Sequence, residues 1–219
     1  MEFTTIEKVF QWKGQSLTIE CIKDIDLAID ELCQELGTDQ VNQQLEDLCP
    51  YFGIPWEAGL GLTSYLAENL NDYQSHFSSG PILEVGCGLA IPSLYLSSQK
   101  FQTYCMDFHP DVEKFLNRNL KRNQLQSQFI HADWTKDELH IKPQFILGAD
   151  ILYEGRHAKD LASRLDILTR QEKCPILIAD PGRSYLQSFC DEMKKKSFNM
   201  TLKNAPTPHD NIWIILFQK

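Results

Sequence analysis

A chain of 219 residues is long enough to bury one sizeable core and short for two, so a single domain with an N-terminal extension is expected. Apolar residues make up 42% and charged residues 23%, which excludes a disordered chain, and no run approaches the roughly 18 consecutive apolar residues of a membrane helix. The net charge of −9 argues against tight, non-specific binding to a nucleic-acid backbone and suits a basic protein segment as partner better.

The opening Met1-Glu2-Phe3-Thr4-Thr5 lacks the basic stretch and apolar core of a secretion signal, so a cytoplasmic protein is expected. Residues 4–22 alternate loosely and are interrupted at Lys13-Gly14, the pattern of a hairpin between two short strands. Residues 24–48 read as helical and polar. The aromatic, turn-rich joint Pro50-Tyr51-Phe52-Gly53-Ile54-Pro55-Trp56 follows, then an amphipathic run from Glu57 to about His76. From Ser78-Ser79-Gly80-Pro81 onward, short apolar runs at 82–85, 103–106, 129–131, 145–147 and 176–179 alternate with helical patterns. Strands spaced in this way form βαβ units and a mostly parallel sheet. The last two apolar runs, 198–202 and 212–217, are joined by Asn204-Ala205-Pro206-Thr207-Pro208 with no room for a crossover helix, so they pair antiparallel. This is the strand inventory of an α/β, seven-stranded Rossmann-like methyltransferase sheet. Residues 1–50 form the extension, on the substrate side, and 51–219 the main domain. Seven scattered cysteines, odd in number and without a CxxC pair, point to free thiols in a reducing compartment rather than to disulfides or zinc, and no metal is expected.

The chemistry begins at Ile82-Leu83-Glu84-Val85-Gly86-Cys87-Gly88, where a buried strand ends in two glycines ahead of a helix opening near Pro92. Ligands of open α/β sheets sit at such a turn, where a side chain would block them and the helix N-terminus offers unpaired N–H groups to a carboxylate. A dinucleotide fingerprint would place a third small residue at position 91; Ile91 there favours a methionine-type ligand over a pyrophosphate. Asp107 closes the second strand beside the glycine loop, where a carboxylate accepts both ribose hydroxyls or caps a helix opening at Pro110. That spacing is shared with NAD enzymes. Asp133-Trp134 after the third strand offers an acceptor and an aromatic face to an adenine ring, and Trp134 alone fits a core position equally well. Beyond the fourth strand, Asp150 and Tyr153 bring a carboxylate and a ring to the same edge.

Together, Glu84-x-Gly86-x-Gly88, Asp107-Phe108-His109-Pro110, Asn119 with Asn123, Asp133-Trp134 and Gly148-Ala149-Asp150-Ile151-Leu152-Tyr153-Glu154 resemble the seven-β-strand, methyltransferase-like protein-lysine methyltransferases. Pro55-Trp56-Glu57-Ala58-Gly59 and Asp180-Pro181-Gly182-Arg183 are similar to that family too, and the resemblance spans roughly residues 50–217. It implies S-adenosylmethionine as cofactor and a lysine-bearing protein as substrate. It also implies that Asp107 holds the ribose, that Gly86, Cys87 and Gly88 face the methionine part through their backbone, and that Asp133 and Trp134 hold the adenine. Trp56 closes over the cofactor, and Glu84, Phe108 and the backbone at Ala149 complete its site. Asp150 and Tyr153 form the acidic-x-x-aromatic motif that positions the substrate amine; Asp150 is expected to orient more than to deprotonate, its alternative role being a helix cap before Gly155. A methyltransferase acting on a small amine and a cofactor-binding module without turnover are the other readings, and a monomer is expected. His109 and His131 are read as hydrogen-bonded structural residues, Cys87 as a small apolar filler, and Lys194-Lys195-Lys196 as a solvated helix end.

Overall fold

The computed structural model describes residues 2–37, 43–155, 157–170, 174–206, 208–209 and 211–219. The chain opens with the expected hairpin, β1 (Thr5–Trp12) paired antiparallel with β2 (Gln15–Ile22) through Lys13-Gly14. Helix α1 (Ile25–Leu36) starts at Asp24, whose side chain accepts from the Leu27 N–H, and ends at Gly37; α2 (Gln43–Leu48) follows. The expected helix over 24–48 is thus two helices as far as it is described, with 38–42 outside the described residues. After a 3₁₀ turn at Pro50–Gly53 come α3 (Glu57–Glu68) and α4 (Leu70–Ser79). The single amphipathic run expected from Glu57 breaks at Asn69. The Asn69 side-chain amide donates to the Tyr65 carbonyl at 2.9 Å, competing with the helix backbone as Asn does.

The alternating units then run β3 (Ile82–Val85), α5 (Ile91–Ser98), β4 (Thr103–Asp107), α6 (Val112–Asn123), β5 (Gln128–His131), β6 (Phe145–Ala149), α7 (His157–Leu168), β7 (Ile176–Asp180), α8 (Tyr185–Lys195), β8 (Asn199–Lys203) and β9 (Trp213–Gln218). The seven-stranded sheet has the order β5-β4-β3-β6-β7-β9-β8, parallel throughout except for β9, which inserts antiparallel between β7 and β8. Every residue of β3 and β7 is buried, which is why neither strand alternates: each is apolar but for one buried acid, Glu84 within β3 and Asp180 at the end of β7. The chain leaves β3 for β4 and β5, then returns to β6 on the other side. The carboxyl ends of β3 and β6 therefore flank a topological switch point, where open sheets hold ligands. Of the linker before β9, Thr207 and Asp210 lie outside the described residues.

The N-terminal hairpin shares the core of the main sheet. Leu17, Ile19, Cys21 and Ile22 are buried in one cluster with residues of α3, α5 and α6. Two asparagines one helical turn apart hold it there. Asn119 accepts from the Glu20 N–H at 2.7 Å and donates to the Glu20 carbonyl at 3.2 Å; Asn123 does the same at Thr18, both at 2.8 Å. Four residues of helix advance about 6 Å and two residues of strand about 6.8 Å, so the two amides meet alternate residues of the free edge of β2 like a further strand. Arg122 adds bonds to Glu7 and Glu20. The hairpin is therefore packed against the back of α6, while it is α1 and α2 that reach the switch point.

Candidate active site

The glycine loop leaves β3 with left-handed backbone at Gly86 (φ 60°) and Gly88 (φ 49°). A Cβ at Gly86 would lie 2.7 Å from Ile151 Cγ2 and 2.9 Å from the Trp134 ring; one at Gly88 would lie 3.0 Å from the Phe52 carbonyl oxygen. Both glycines are thus demanded by the protein's own packing and backbone, and not only by clearance for a ligand. The Asp107 carboxylate binds this loop directly: Oδ2 accepts from the Gly88 N–H at 2.9 Å and Oδ1 from the His109 N–H at 3.0 Å. The glycine loop and the acid that closes β4 therefore converge on one place. Asp107 does not cap a helix at Pro110, because α6 begins only at Val112.

An open cavity of about 670 Å³ lies over this junction, within the roughly 300–1,000 Å³ of small-molecule sites. Its walls include Trp56, Glu84, Gly86, Cys87, Gly88, Asp107, Phe108, Trp134, Ala149, Asp150 and Tyr153, so all but one of the expected site residues meet in it. The exception is Asp133. Its carboxylate turns into its own loop, accepting from Thr135 N and Oγ1 and pairing with Lys136 at 2.8 Å. Burial pushes this carboxyl up, yet those partners outweigh it and hold it below the usual range. The Asp133 carboxylate thus shapes the turn and does not line the cavity. Trp134 serves as both core and wall: it is 6% exposed, packs beneath Gly86, and its Nε1 has no hydrogen-bond partner among the described residues.

Burial pushes the Glu84 carboxyl up to about 7, against the opposing bond that its Oε2 accepts from Ser93 N at 2.9 Å. Burial likewise raises Asp107, opposed by the His109 and Gly88 amides. His109 and His131 are both tied to backbone groups. His109 accepts from Asp111 N through Nδ1 and so donates from Nε2 to the Leu48 carbonyl, with burial holding its pKa down; His131 Nε2 lies 2.8 Å from the Phe108 carbonyl. Cys87 is buried, and burial raises its thiol well above the ordinary value, which leaves it a neutral filler.

At the mouth, Tyr51, Trp56 and Tyr153 are large aromatics left 49%, 39% and 43% exposed, enough to present ring faces to a visitor. Trp56 is oriented by its Nε1 donating to the Tyr51 carbonyl at 2.8 Å. His157 meets Tyr153 edge-on at 4.7 Å and Trp134 at 5.6 Å between ring centroids, a link between the two sides of the cavity that sequence spacing did not reveal. Asp150 does not cap α7, which begins at His157. It takes a left-handed backbone (φ 58°), and its Oδ1 accepts two bonds from the Arg183 guanidinium, one of them at 2.8 Å. The sequence flagged Arg183 only as part of a motif; the signal for its role, a cation just past the neighbouring strand, acquires meaning only once β6 and β7 are known to be adjacent.

Residues 41–200 match a family described as lysine methyltransferase. The chain belongs to that family. No curated protein matches the sequence. Among solved structures, magnesium protoporphyrin IX methyltransferase from Synechocystis PCC 6803 with bound S-adenosylhomocysteine has a similar fold: TM-score 0.60 at 16% identity, covering 89% of this chain and 95% of that one. The T. thermophilus 16S rRNA N2 methyltransferase in complex with AdoMet and guanosine gives a TM-score of 0.61 at 12% identity over 98% of this chain and 50% of that one. The precorrin-6y C5,15-methyltransferase from Geobacter metallireducens gives 0.53 at 15% identity over 70% and 89%. These likenesses establish the Rossmann-like methyltransferase fold. The protein is an S-adenosylmethionine-dependent methyltransferase. Among the described residues of this methyltransferase, no helix is long and apolar enough to cross a membrane, and none of the seven cysteines forms a disulfide.

Proposed function

We propose that this methyltransferase acts on a lysine ε-amine of a protein substrate. The observation that carries the reading is the make-up of the cavity and its rim. Glu46, Asp47, Glu84, Asp107, Asp150 and Glu154 line it against a single cation, Arg183, among the described residues, and exposed aromatic rings frame the mouth. A cationic, flexible side chain reaching in from a larger body suits such a site.

S-adenosylmethionine, when bound, supplies a methyl group activated by its sulfonium. The chain's residues fit that group. Each Asp107 oxygen already accepts one amide N–H, and a carboxylate has about four lone-pair sites, so two remain for ribose hydroxyls. The backbone of Gly86, Cys87 and Gly88 faces the methionine part, Trp134 and Phe108 bound the adenine side, and Trp56 covers the approach. Glu84 holds the start of α5 through Ser93 N and thereby the shape of the loop. Asp150 and Tyr153 then orient the acceptor. Methyl transfer needs a nitrogen lone pair in line with the breaking bond at roughly 3–3.5 Å, so positioning is the larger contribution. A lysine amine, with an ordinary pKa of about 10.4, must also shed its proton, and a partly dry cavity favours that loss.

The test is incubation with radiolabelled S-adenosylmethionine and lysate from cells lacking this protein, with Asp107→Ala as control. A labelled protein band, absent with the variant and traced to lysine by mass spectrometry, is the expected result. Label confined to small molecules would transfer the assignment to a small-amine methyltransferase.

A further inference from the structure

Asp150 and Arg183 sit at the ends of adjacent strands, and several bonds fasten them together. The Asp150 N–H donates to the Ala179 carbonyl at 2.9 Å, tying the end of β6 to the end of β7. One residue on, Asp180 is fully buried, and its Oδ1 accepts from the Gly182 N–H at 2.8 Å and the Arg183 N–H at 2.7 Å. Those bonds fold the loop back so that the Arg183 guanidinium meets Asp150 Oδ1 through both Nε and Nη2. The Asp150 side chain is 9% exposed and that of Arg183 37%, so the carboxylate is the poorly screened end of the pair. A carboxylate alone in this wall would hold an approaching amine as ammonium, the form that has no lone pair to give. A carboxylate already matched by a guanidinium can still accept an N–H, with far less net pull on a positive charge.

We propose that Arg183 is a positioning residue that neutralises Asp150, so that Asp150 orients the acceptor amine without trapping it in its charged form. This rests on the methyltransferase reading above, in which Asp150 faces the reacting centre. Asp180 belongs to the same device: it aims Arg183, and Asn in its place can accept the same two amide bonds. The other charged groups of the cavity lie on other elements: Glu46 and Asp47 on α2, Glu84 on β3, Asp107 on β4 and Glu154 in the loop after β6. All are acidic. Removing Arg183 therefore leaves the wall with no lining cation among the described residues, and the effect of the loss should be felt first at Asp150, where its two bonds end.

The electrostatics at this point can be measured without turnover. Sinefungin is an S-adenosylmethionine analogue with an amine-bearing carbon in place of the sulfonium and its methyl, so its ammonium samples the place where the methyl group would be. S-adenosylhomocysteine carries no such charge. Calorimetry with both ligands on wild type, Arg183→Gln, Arg183→Lys and the double variant Asp150→Asn with Arg183→Gln gives the preference for sinefungin as a ratio of affinities. Arg183→Gln should raise that ratio about tenfold, the effect of one unpaired carboxylate close to a cation. Arg183→Lys, which keeps the charge, should stay near wild type, and the double variant should lose the gain. A ratio unchanged in Arg183→Gln, or a gain that survives in the double variant, overturns the proposal even if absolute affinities fall. Wild type that binds neither nucleoside would instead refute the cofactor site itself, and the inference with it.

Discussion

Glu84 offers a stability test whose sign and size come from its surroundings. The residue is buried at the end of β3, with one bond from Ser93 N and the Asp107 carboxylate nearby, and burial moves its pKa from an ordinary 4.5 to about 7. Between those values the folded protein keeps a proton that the unfolded chain has released. Stability should therefore fall as pH rises from about 4.5 to about 7 and level off above. At about 1.4 kcal/mol for each tenfold step in proton affinity, the full penalty is on the order of 3 kcal/mol. Glu84→Gln removes the ionisation while its carbonyl can still accept from Ser93 N. Urea unfolding at half-unit steps from pH 4.5 to 8.5 should show the variant gaining on wild type as pH rises. The gain should reach about 3 kcal/mol at pH 8, or roughly 6–12 °C in Tm for a chain of this size, and vanish near pH 4.5. Two stability curves that run parallel across this range would refute the reasoning, whatever their separation.

Other expected outcomes test the frame around the cavity. Asn119→Ala strips both partners from the buried edge of β2 at Glu20; at roughly 1–3 kcal/mol for each orphaned group it should cost about 2–6 kcal/mol in chemical unfolding, with hydrogen exchange accelerating first at Glu20. Gly86→Ala places a methyl group in contact with Ile151 and Trp134 on left-handed backbone, a penalty of about 1–2 kcal/mol before the clash, and calorimetry should show S-adenosylmethionine affinity lost by more than tenfold. Asp107→Asn can keep only one of the bonds to Gly88 and His109 and loses the charge, so cofactor affinity should drop at least tenfold, and the orphaned amide should cost roughly 1–3 kcal/mol in chemical unfolding. For Asp150→Asn, methyl transfer should fall while affinity for the uncharged S-adenosylhomocysteine in the same calorimetric assay stays near wild type; unchanged transfer would remove Asp150 from the acceptor site.

Much of this architecture is written locally in the chain. The apolar runs of β3, β6 and β7 mark a parallel sheet because strands buried on both faces cannot alternate. Gly86, Gly88 and Asp107 could be picked out because a strand end, a tight turn and an acid one strand later have few other uses in that spacing. What local pattern could not specify were relations across the fold. Asp150 and Arg183 are 33 residues apart, and their pairing exists only because β6 and β7 lie side by side. Asp133, flagged by residue type as an acceptor, is bonded to Thr135 and Lys136 within its own turn and lies outside the cavity lining. Asn119 and Asn123 carried no readable role alone, because their partners are backbone groups about a hundred residues earlier in the chain. Sequence spacing thus determined which chemistry collects at the carboxyl edge of the sheet. Tertiary packing decided which of those groups are held by neighbours and which remain to meet a ligand, because hydrogen bonds and ion pairs form between groups adjacent in space, whatever their separation along the chain.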